Sequence, residues 1–177
     1  FRYTEYNIPF IEIRTLINHD ASAQGILNAI AETFKDSKEN DINFLYYMGH
    51  GGTVNGVPMI TAADYKASLP STYITVHKLK AEFDKIKGNH VILLETCHSG
   101  NFIERDARGL RIDYDKAIIE IFSLIPRDTI NRPGYYVITS SAGNQYSWDN
   151  RLGWSYFCRP FIDGCEGLKA DTDGDGI

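Results

Sequence analysis

Apolar residues along the chain fall into short continuous runs that are separated by longer segments of mixed character. Three such runs occupy residues 42–48, 90–96 and 135–141. Continuous apolar runs of this length are typical of strands that are covered on both faces of a sheet. A fourth run, residues 9–17, is rich in β-forming residues and partly alternating, which also predicts a strand. The pattern therefore predicts a sheet built from these segments.

Segments with helical spacing lie between the predicted strands. Residues 21–35 repeat apolar side chains at four-residue intervals, which predicts an amphipathic helix. A second helix is predicted to begin at the capping residue Thr75 and to stop at Gly88. Residues 113–125 fit helix or strand by periodicity, but their length and two early aspartates favour a helix. Residues 155–165 predict a further helix, with a proline inside its first turns.

Strands that alternate with helices indicate an α/β fold with a largely parallel sheet. Ligands of such sheets bind at the carboxyl ends of the strands. His50 follows the run 42–48 directly, and Cys97 follows the run 90–96. The glycine-rich segment after His50 predicts a loop with a small hairpin at Asn55-Gly56. We therefore expect His50 and Cys97 to meet at one edge of the sheet.

Composition excludes several classes of function. Of the 177 residues, 43% are hydrophobic, which suffices for the core of one domain. The net charge is −5 and no basic cluster occurs, which argues against a nucleic-acid partner. No apolar run has the length of a membrane span. Three cysteines are too few for a disulfide scaffold. Cys158 and Cys165 either pair with each other or are ordinary small core residues, and the second interpretation is favoured.

A histidine beside a cysteine is the usual arrangement for nucleophilic catalysis. The thiolate is the nucleophile, and a neighbouring imidazole lowers the thiol pKa or takes the proton. The backbone N–H groups of Gly51 and Cys97 are the natural donors to a developing oxyanion. His98 is a rival base, but adjacent side chains of an extended segment point to opposite faces. The alternative is that His50 and Cys97 have no catalytic role and are ordinary core or surface residues.

The stretches "YYMGHGG" and "LLETCHSGNF" resemble the active-site strand ends of the caspase-like cysteine peptidases, which include caspases, metacaspases, legumains, clostripain and gingipains. "ITSSAGNQYSWD" and "GWSYFCRPFIDG" resemble the later stretch that lines the specificity pocket in that group. The resemblance implies a three-layer α/β/α sandwich with a mostly parallel sheet. It also implies that Cys97 is the nucleophile, that His50 is the base or acid, and that Gly51 and Cys97 form the oxyanion hole. No metal or organic cofactor is implied for the chemistry.

The resemblance also bears on the residue that precedes the cleaved bond. Glu95 lies two residues before the nucleophile and therefore points to the same side. Asp149 falls where metacaspases place a pocket aspartate, so a substrate with Arg or Lys is expected. Legumains also carry an acid before the cysteine and prefer Asn, so a substrate with Asn or Asp is the second choice. The alternative for the two carboxylates is that they belong to the solvated surface and contact no substrate. Further predicted pocket residues are Ser140, Ser141 and Trp148, the last of which fits a core position equally well.

These peptidases usually have a central first strand, whereas this chain begins at, or just before, what resembles their second strand. The resemblance therefore implies a sheet that lacks its first strand in this chain. It also implies a polypeptide partner, an upstream segment of the same precursor, which is either cleaved but still associated or absent. Cleavage after a basic residue would fit self-processing. Two alternative functions are compatible with the same fold. One is a legumain-like transamidase, in which an amine instead of water attacks the acyl-enzyme, and the other is a non-catalytic adhesion or scaffold module.

Residues 1–168 are predicted to form the catalytic domain, and residues 169–177 a tail that ends in "DTDGDGI". Its alternating acids and glycine match the first half of a calcium loop, without the later bidentate glutamate. It resembles the start of thrombospondin type 3 or dockerin-like repeats, which implies a structural or activating role for Ca²⁺ and a secreted or cell-surface protein. The alternative is a disordered acidic terminus. The candidate ligands are Asp171, Asp173 and Asp175.

Overall fold

The computed structural model describes residues 12–55, 57–97, 134–140 and 155–165. These residues form three α-helices and five strands. In chain order the elements are α1 (Ala23–Thr33), β1 (Ile42–Val54), β2 (Val57–Thr61), β3 (Tyr73–Thr75), α2 (Val76–Phe83), β4 (Asn89–Cys97), β5 (Tyr135–Thr139) and α3 (Cys158–Cys165). Short 3-10 turns at Asn18–Ala21 and Pro70–Thr72 precede α1 and β3. No helix among the described residues is long and apolar enough to cross a bilayer.

The described strands form one mixed sheet in the order β3-β2-β1-β4-β5. β1, β4 and β5 run parallel to one another, as the sequence predicts for the three continuous apolar runs. β2 and β3 add antiparallel strands at the other side of β1. The hairpin at Asn55 is confirmed, and Asn55 adopts the left-handed region with a φ of 50°. The strand β3 was not predicted, since its three residues are too short to show a period.

β1 is longer than the sequence predicts because it belongs to two ladders. Residues 42–50 pair with β4, and residues 51–54 pair with β2. The sequence places the end of this strand at residue 48, where the glycines begin. The pairing with β2 keeps the backbone extended beyond that point. His50 therefore lies within β1, at the position where one ladder ends and the other begins.

The described core lies on one face of the sheet. α1 contributes Ile26 and Ile30, and α2 contributes Leu79 and Phe83, which pack with the buried residue Leu94 of β4. Burial of these side chains is the main force that holds both helices on the sheet. Both helices have N-caps: the Ser22 side chain accepts a hydrogen bond from the N–H of Gly25, and the Thr75 side chain accepts one from that of Lys78. The predicted helix start at Thr75 is confirmed.

The opposite face of β1 differs from the expectation. Its side chains at Ile42, Phe44, Tyr46 and Met48 are exposed, between 37% and 69% of their area. The intervening side chains point toward α1 and α2. The continuous apolar run predicts burial on both faces, but along β1 these four side chains keep more than a third of their area exposed, because α1 and α2 pack on the other side.

The strand predicted at residues 9–17 is wrong over its described part. Residues 12–17 have no regular secondary structure and are mostly exposed. A β-rich composition forms a strand only where a neighbouring strand accepts its backbone hydrogen bonds, and none among the described residues does so here. The predicted helix 113–125 and the tail 169–177 lie outside the described residues.

Candidate active site

His50 and Cys97 are register partners in the parallel ladder between β1 and β4. In-register residues of neighbouring strands carry their side chains on the same face of the sheet. The imidazole of His50 is exposed, and Cys97 is the last residue of β4. The ladder thus brings the two backbone positions together, as the strand-end argument expects. The side chain of Cys97 lies outside the described residues.

Gly51, the predicted oxyanion donor, directly follows His50 and opens the ladder with β2. It is buried and stands opposite Ile60. The candidate donor is therefore held by the hairpin, while the candidate acid or base is held by the parallel sheet. Both elements depend on β1 remaining extended through the glycines.

Glu95 is a buried carboxylate on the same face of β4 as Cys97. It is 3% exposed and is the register partner of Met48. The Tyr46 hydroxyl donates a hydrogen bond of 2.5 Å to its Oε2. Its Oε1 is buried and has no hydrogen-bond partner among the described residues. A buried carboxylate oxygen without a donor is unusual, because burying charge without a partner is costly.

Tyr46 was not predicted as a site residue. Burial, followed by the hydrogen bond to Glu95 and the nearby Cys158 thiol, raises the pKa of Tyr46 above its ordinary value. The phenol therefore remains a hydrogen-bond donor throughout the neutral range. The alternation along β1 places Tyr46 on the same face as His50, which is the signal that the sequence offers. The contact with Cys158 also brings α3 to this face of the sheet.

Ser140 follows β5 at the same edge of the sheet. Its N–H donates to the carbonyl of Leu94 at 3.1 Å, which places it beside Glu95. Its hydroxyl is buried and makes no hydrogen bond within the described part of the chain. The other predicted pocket residues, Ser141, Trp148 and Asp149, lie outside the described residues.

The described residues contain no group of three metal-ligating side chains. The predicted calcium ligands Asp171, Asp173 and Asp175 lie outside them. Cys158 is a free, half-buried cysteine. It cannot pair with Cys165 on the same helix, because seven residues at about 1.5 Å each separate the two by about 10 Å, beyond the reach of a disulfide.

Comparisons with known proteins agree with this architecture. A family model described as the caspase domain matches residues 3–172. The solved structure of protein GSU0716 from Geobacter sulfurreducens superimposes with a TM-score of 0.53 at 19% sequence identity. The match covers 85% of this chain and 64% of that protein, so this chain spans less than two thirds of its length. At that identity the likeness concerns the fold alone. No curated protein matches the chain.

Proposed function

Since this chain belongs to the caspase-domain family, we propose that it is a cysteine endopeptidase with Cys97 as nucleophile and His50 as its acid and base. Family membership supports a cysteine-peptidase type of function in general. The observation that carries the specific proposal is the ladder register that pairs His50 with Cys97. A general acid or base must come within about 3 Å of the proton it moves, or one water away. Adjacent parallel strands lie about 4.8 Å apart, so side chains at register-paired positions on one face can reach that distance, which supports the proposal.

In the proposed reaction the Cys97 thiolate attacks the scissile carbonyl carbon and forms a C–S bond. The carbonyl oxygen becomes an oxyanion, which the N–H groups of Gly51 and Cys97 stabilise. The C–N bond then breaks, and His50 gives its proton to the leaving amine. A water molecule, deprotonated by His50, hydrolyses the thioester and regenerates the thiol. The proposal assigns no metal or organic cofactor to these steps.

We further propose that the substrate carries Arg or Lys before the cleaved bond. The support is Glu95, whose buried Oε1 has no donor among the described residues. A cationic substrate side chain would supply that donor, and charge-assisted hydrogen bonds are about twice as strong as neutral ones. Asp149 is the second acid by family resemblance, with Ser140, Ser141 and Trp148 as further lining residues. Asn or Asp substrates are the second choice.

The test is cleavage of fluorogenic peptides that end in Arg, Lys, Asn or Asp, with wild type and Cys97→Ala, in Ca²⁺ and in chelator. We expect the Arg or Lys peptide to be cleaved and Cys97→Ala to abolish the cleavage. Cleavage of the Asn peptide would retain the nucleophile and contradict the acidic pocket. Unchanged turnover by Cys97→Ala would contradict the mechanism. Added amine that diverts the acyl product would indicate transamidation.

The sheet also supports the proposed partner from upstream in the precursor. Along residues 42–50 of β1, the only ladder among the described residues is the one with β4. The other side of this stretch offers backbone N–H and C=O groups that a further strand would satisfy. We propose that an upstream segment of the precursor pairs there as a further strand, and that the peptidase itself cleaves this segment from the rest of the chain. Hydrogen exchange should show the outward amides of residues 42–50 protected in the longer precursor, and rapid exchange in it would contradict the pairing.

Calcium and location remain proposals that rest on the tail. Asp171, Asp173 and Asp175 supply half of a calcium loop, so we propose weak binding of Ca²⁺ and a secreted or cell-surface protein. Calorimetric titration with CaCl₂, compared with an Asp171→Asn/Asp173→Asn variant, tests the site. Equal heats for the two proteins would contradict it.

A further inference from the structure

We propose that Tyr47 and Thr61 position the catalytic histidine by holding the carbonyl oxygen of His50. This inference rests on the proposed function, because it concerns how the His50 imidazole is kept beside Cys97. Neither side chain belongs to the predicted site. Both lie where the ladder of β1 changes partner.

The hydroxyl groups of both residues converge on one backbone carbonyl. The Tyr47 hydroxyl lies 2.9 Å from the His50 oxygen, and the Thr61 hydroxyl lies 3.1 Å from it. The Tyr47 hydroxyl also lies 2.6 Å from the carbonyl oxygen of Thr61. A phenol carries one proton, so it donates to one carbonyl at a time, and the Thr61 hydroxyl donates to the His50 oxygen in either case.

The place of this network in the fold explains why side chains are needed. The ladder with β4 ends at His50, and the ladder with β2 starts one residue later, at Gly51 opposite Ile60. His50 and Thr61 would be the next pair of that hairpin ladder. Two hydroxyl groups take the place of the ladder at this position. They tie the backbone of His50 to β2 as well as to β4.

Gly49 has a role in the same arrangement. The ring of Tyr47 lies over the backbone of Gly49, and a Cβ at this position would be 2.5 Å from the Tyr47 hydroxyl and 2.9 Å from Cζ. Real Cβ atoms do not approach that closely, so any larger residue would displace the ring. The glycine before the histidine therefore makes room for the tyrosine that holds the histidine.

The contribution of the Tyr47 hydroxyl can be tested separately from the packing of the Tyr47 ring. The Tyr47 ring packs partly buried against the core formed by α1 and α2. Burial raises the pKa of Tyr47, so the group stays a neutral donor. A phenylalanine would retain the apolar contacts, and a valine would retain the shape of Thr61. Since the imidazole of His50 extends from the opposite face of β1, loss of the hydroxyls would leave the backbone of His50 less fixed relative to Cys97.

The test measures alkylation of Cys97 by iodoacetamide from pH 5 to pH 10 in the full chain, with the modified cysteine identified by peptide mass spectrometry. The variants are Tyr47→Phe, Thr61→Val, their combination and His50→Ala. The matched control is Tyr65→Phe, a half-buried tyrosine that packs edge-on against Tyr73. Unfolding temperatures are recorded for every variant.

We expect the wild-type midpoint to lie below the ordinary thiol pKa of about 8.5, and His50→Ala to raise it. Tyr47→Phe should move the midpoint toward that of His50→Ala, with alkylation at pH 6 slowed about threefold to tenfold. The double variant should move the midpoint further than either single variant, because only it removes both donors from the His50 carbonyl. A purely structural role would lower the unfolding temperature and leave the midpoint unchanged.

Two outcomes would overturn the inference, and they differ. If His50→Ala shifts the midpoint while Tyr47→Phe and Thr61→Val both retain the wild-type value, the positioning role is wrong and the His50–Cys97 pair stands. If His50→Ala itself leaves the midpoint unchanged, the pair fails and the positioning role fails with it. Should Tyr47→Phe not fold, Thr61→Val decides alone.

Discussion

The hydroxyl of Tyr46 donates a hydrogen bond of 2.5 Å to Oε2 of Glu95 across the ladder between β1 and β4. One oxygen of a buried carboxylate is thereby occupied, and the other has no donor among the described residues. The tyrosine orients the carboxylate, and under the proposed specificity its other oxygen is the one that a cationic substrate group would meet. The two strands that carry His50 and Cys97 therefore also carry the candidate specificity group and the residue that orients it.

Tyr46→Phe should destabilise the fold and weaken the preference for basic substrates. Hydrogen bonds to charged groups contribute about 1.5–3 kcal/mol, and the partial exposure of Tyr46 reduces the expected loss to about 1–2 kcal/mol. Urea unfolding measures that loss, and the ratio of kcat/KM between Arg and Asn peptides measures the preference. The control is Tyr136→Phe, whose ring on β5 is 60% exposed. Equal effects of the two substitutions would contradict the orienting role of Tyr46.

Glu95→Gln retains the shape of the side chain and removes its charge. We expect kcat/KM for Arg and Lys peptides to fall about a hundredfold or more, because the cation would lose a charge-assisted partner in a buried setting. Alkylation of Cys97 by iodoacetamide at pH 10, where the thiol is ionised in both proteins, should be unchanged, since that reagent carries no cation. A uniform loss over all peptides, including Asn, would mean that Glu95 supports the fold and does not select the substrate.

The sequence predicts those features that depend on local spacing. The four-residue period of residues 21–35 yields α1, and Thr75 caps α2 because its hydroxyl accepts from the N–H of Lys78. The two apolar runs that end at His50 and Cys97 become the parallel neighbours β1 and β4. These signals lie within a few residues of the feature that they predict, so a single sequence suffices for them.

Contacts between strands were not predictable in the same way. Tyr46 meets Glu95 and Tyr47 meets Thr61 only because of the register of two ladders, which hydrophobic patterning leaves open. Likewise, the strand expected at residues 9–17 fails in its described part, since composition cannot show whether a neighbouring strand is available. Partner-dependent features therefore required the tertiary structure.

Gly49→Ala should disturb the site by displacing the ring of Tyr47. The added Cβ would lie 2.5 Å from the Tyr47 hydroxyl, and overpacking of this kind costs about 1–3 kcal/mol. Urea unfolding of Gly49→Ala, Tyr47→Leu and the double variant measures the coupling. We expect the double variant to lose less than the sum of the single variants, since a leucine vacates the space. Additive losses would show that Gly49 is required for another reason.

Gly134→Ala provides the matched comparison for that prediction. A Cβ at Gly134 would lie 2.8 Å from Asn89 Oδ1, the far end of a flexible side chain that can move away. Its cost should therefore be smaller than that of Gly49→Ala. If the two substitutions destabilise the protein equally, the ring of Tyr47 is more mobile than the contact implies.

His90 should make the fold sensitive to acid. It is fully buried between the rings of Phe83 and Tyr135, with centroids 5.0 and 4.9 Å away, and its Nδ1 lies 3.3 Å from the Asn43 amide nitrogen. Burial lowers the pKa of His90 to about 4, against the opposing effects of the Ile86 carbonyl and the Asp84 charge.

Because the unfolded chain binds this proton near pH 6.5 and the folded chain only near pH 4, stability is retained above pH 6.5 and lost as the pH falls between these values. The loss from this residue between pH 7 and pH 4.5 should be about 2–3 kcal/mol. Urea unfolding of wild type, His90→Gln and the exposed control His19→Gln at both pH values measures it. We expect His90→Gln to be destabilised at pH 7 yet to lose about 2–3 kcal/mol less than wild type on acidification, with His19→Gln behaving as wild type. An equal acid loss in His90→Gln and wild type would mean that His90 takes up its proton in the folded state as readily as in the unfolded chain.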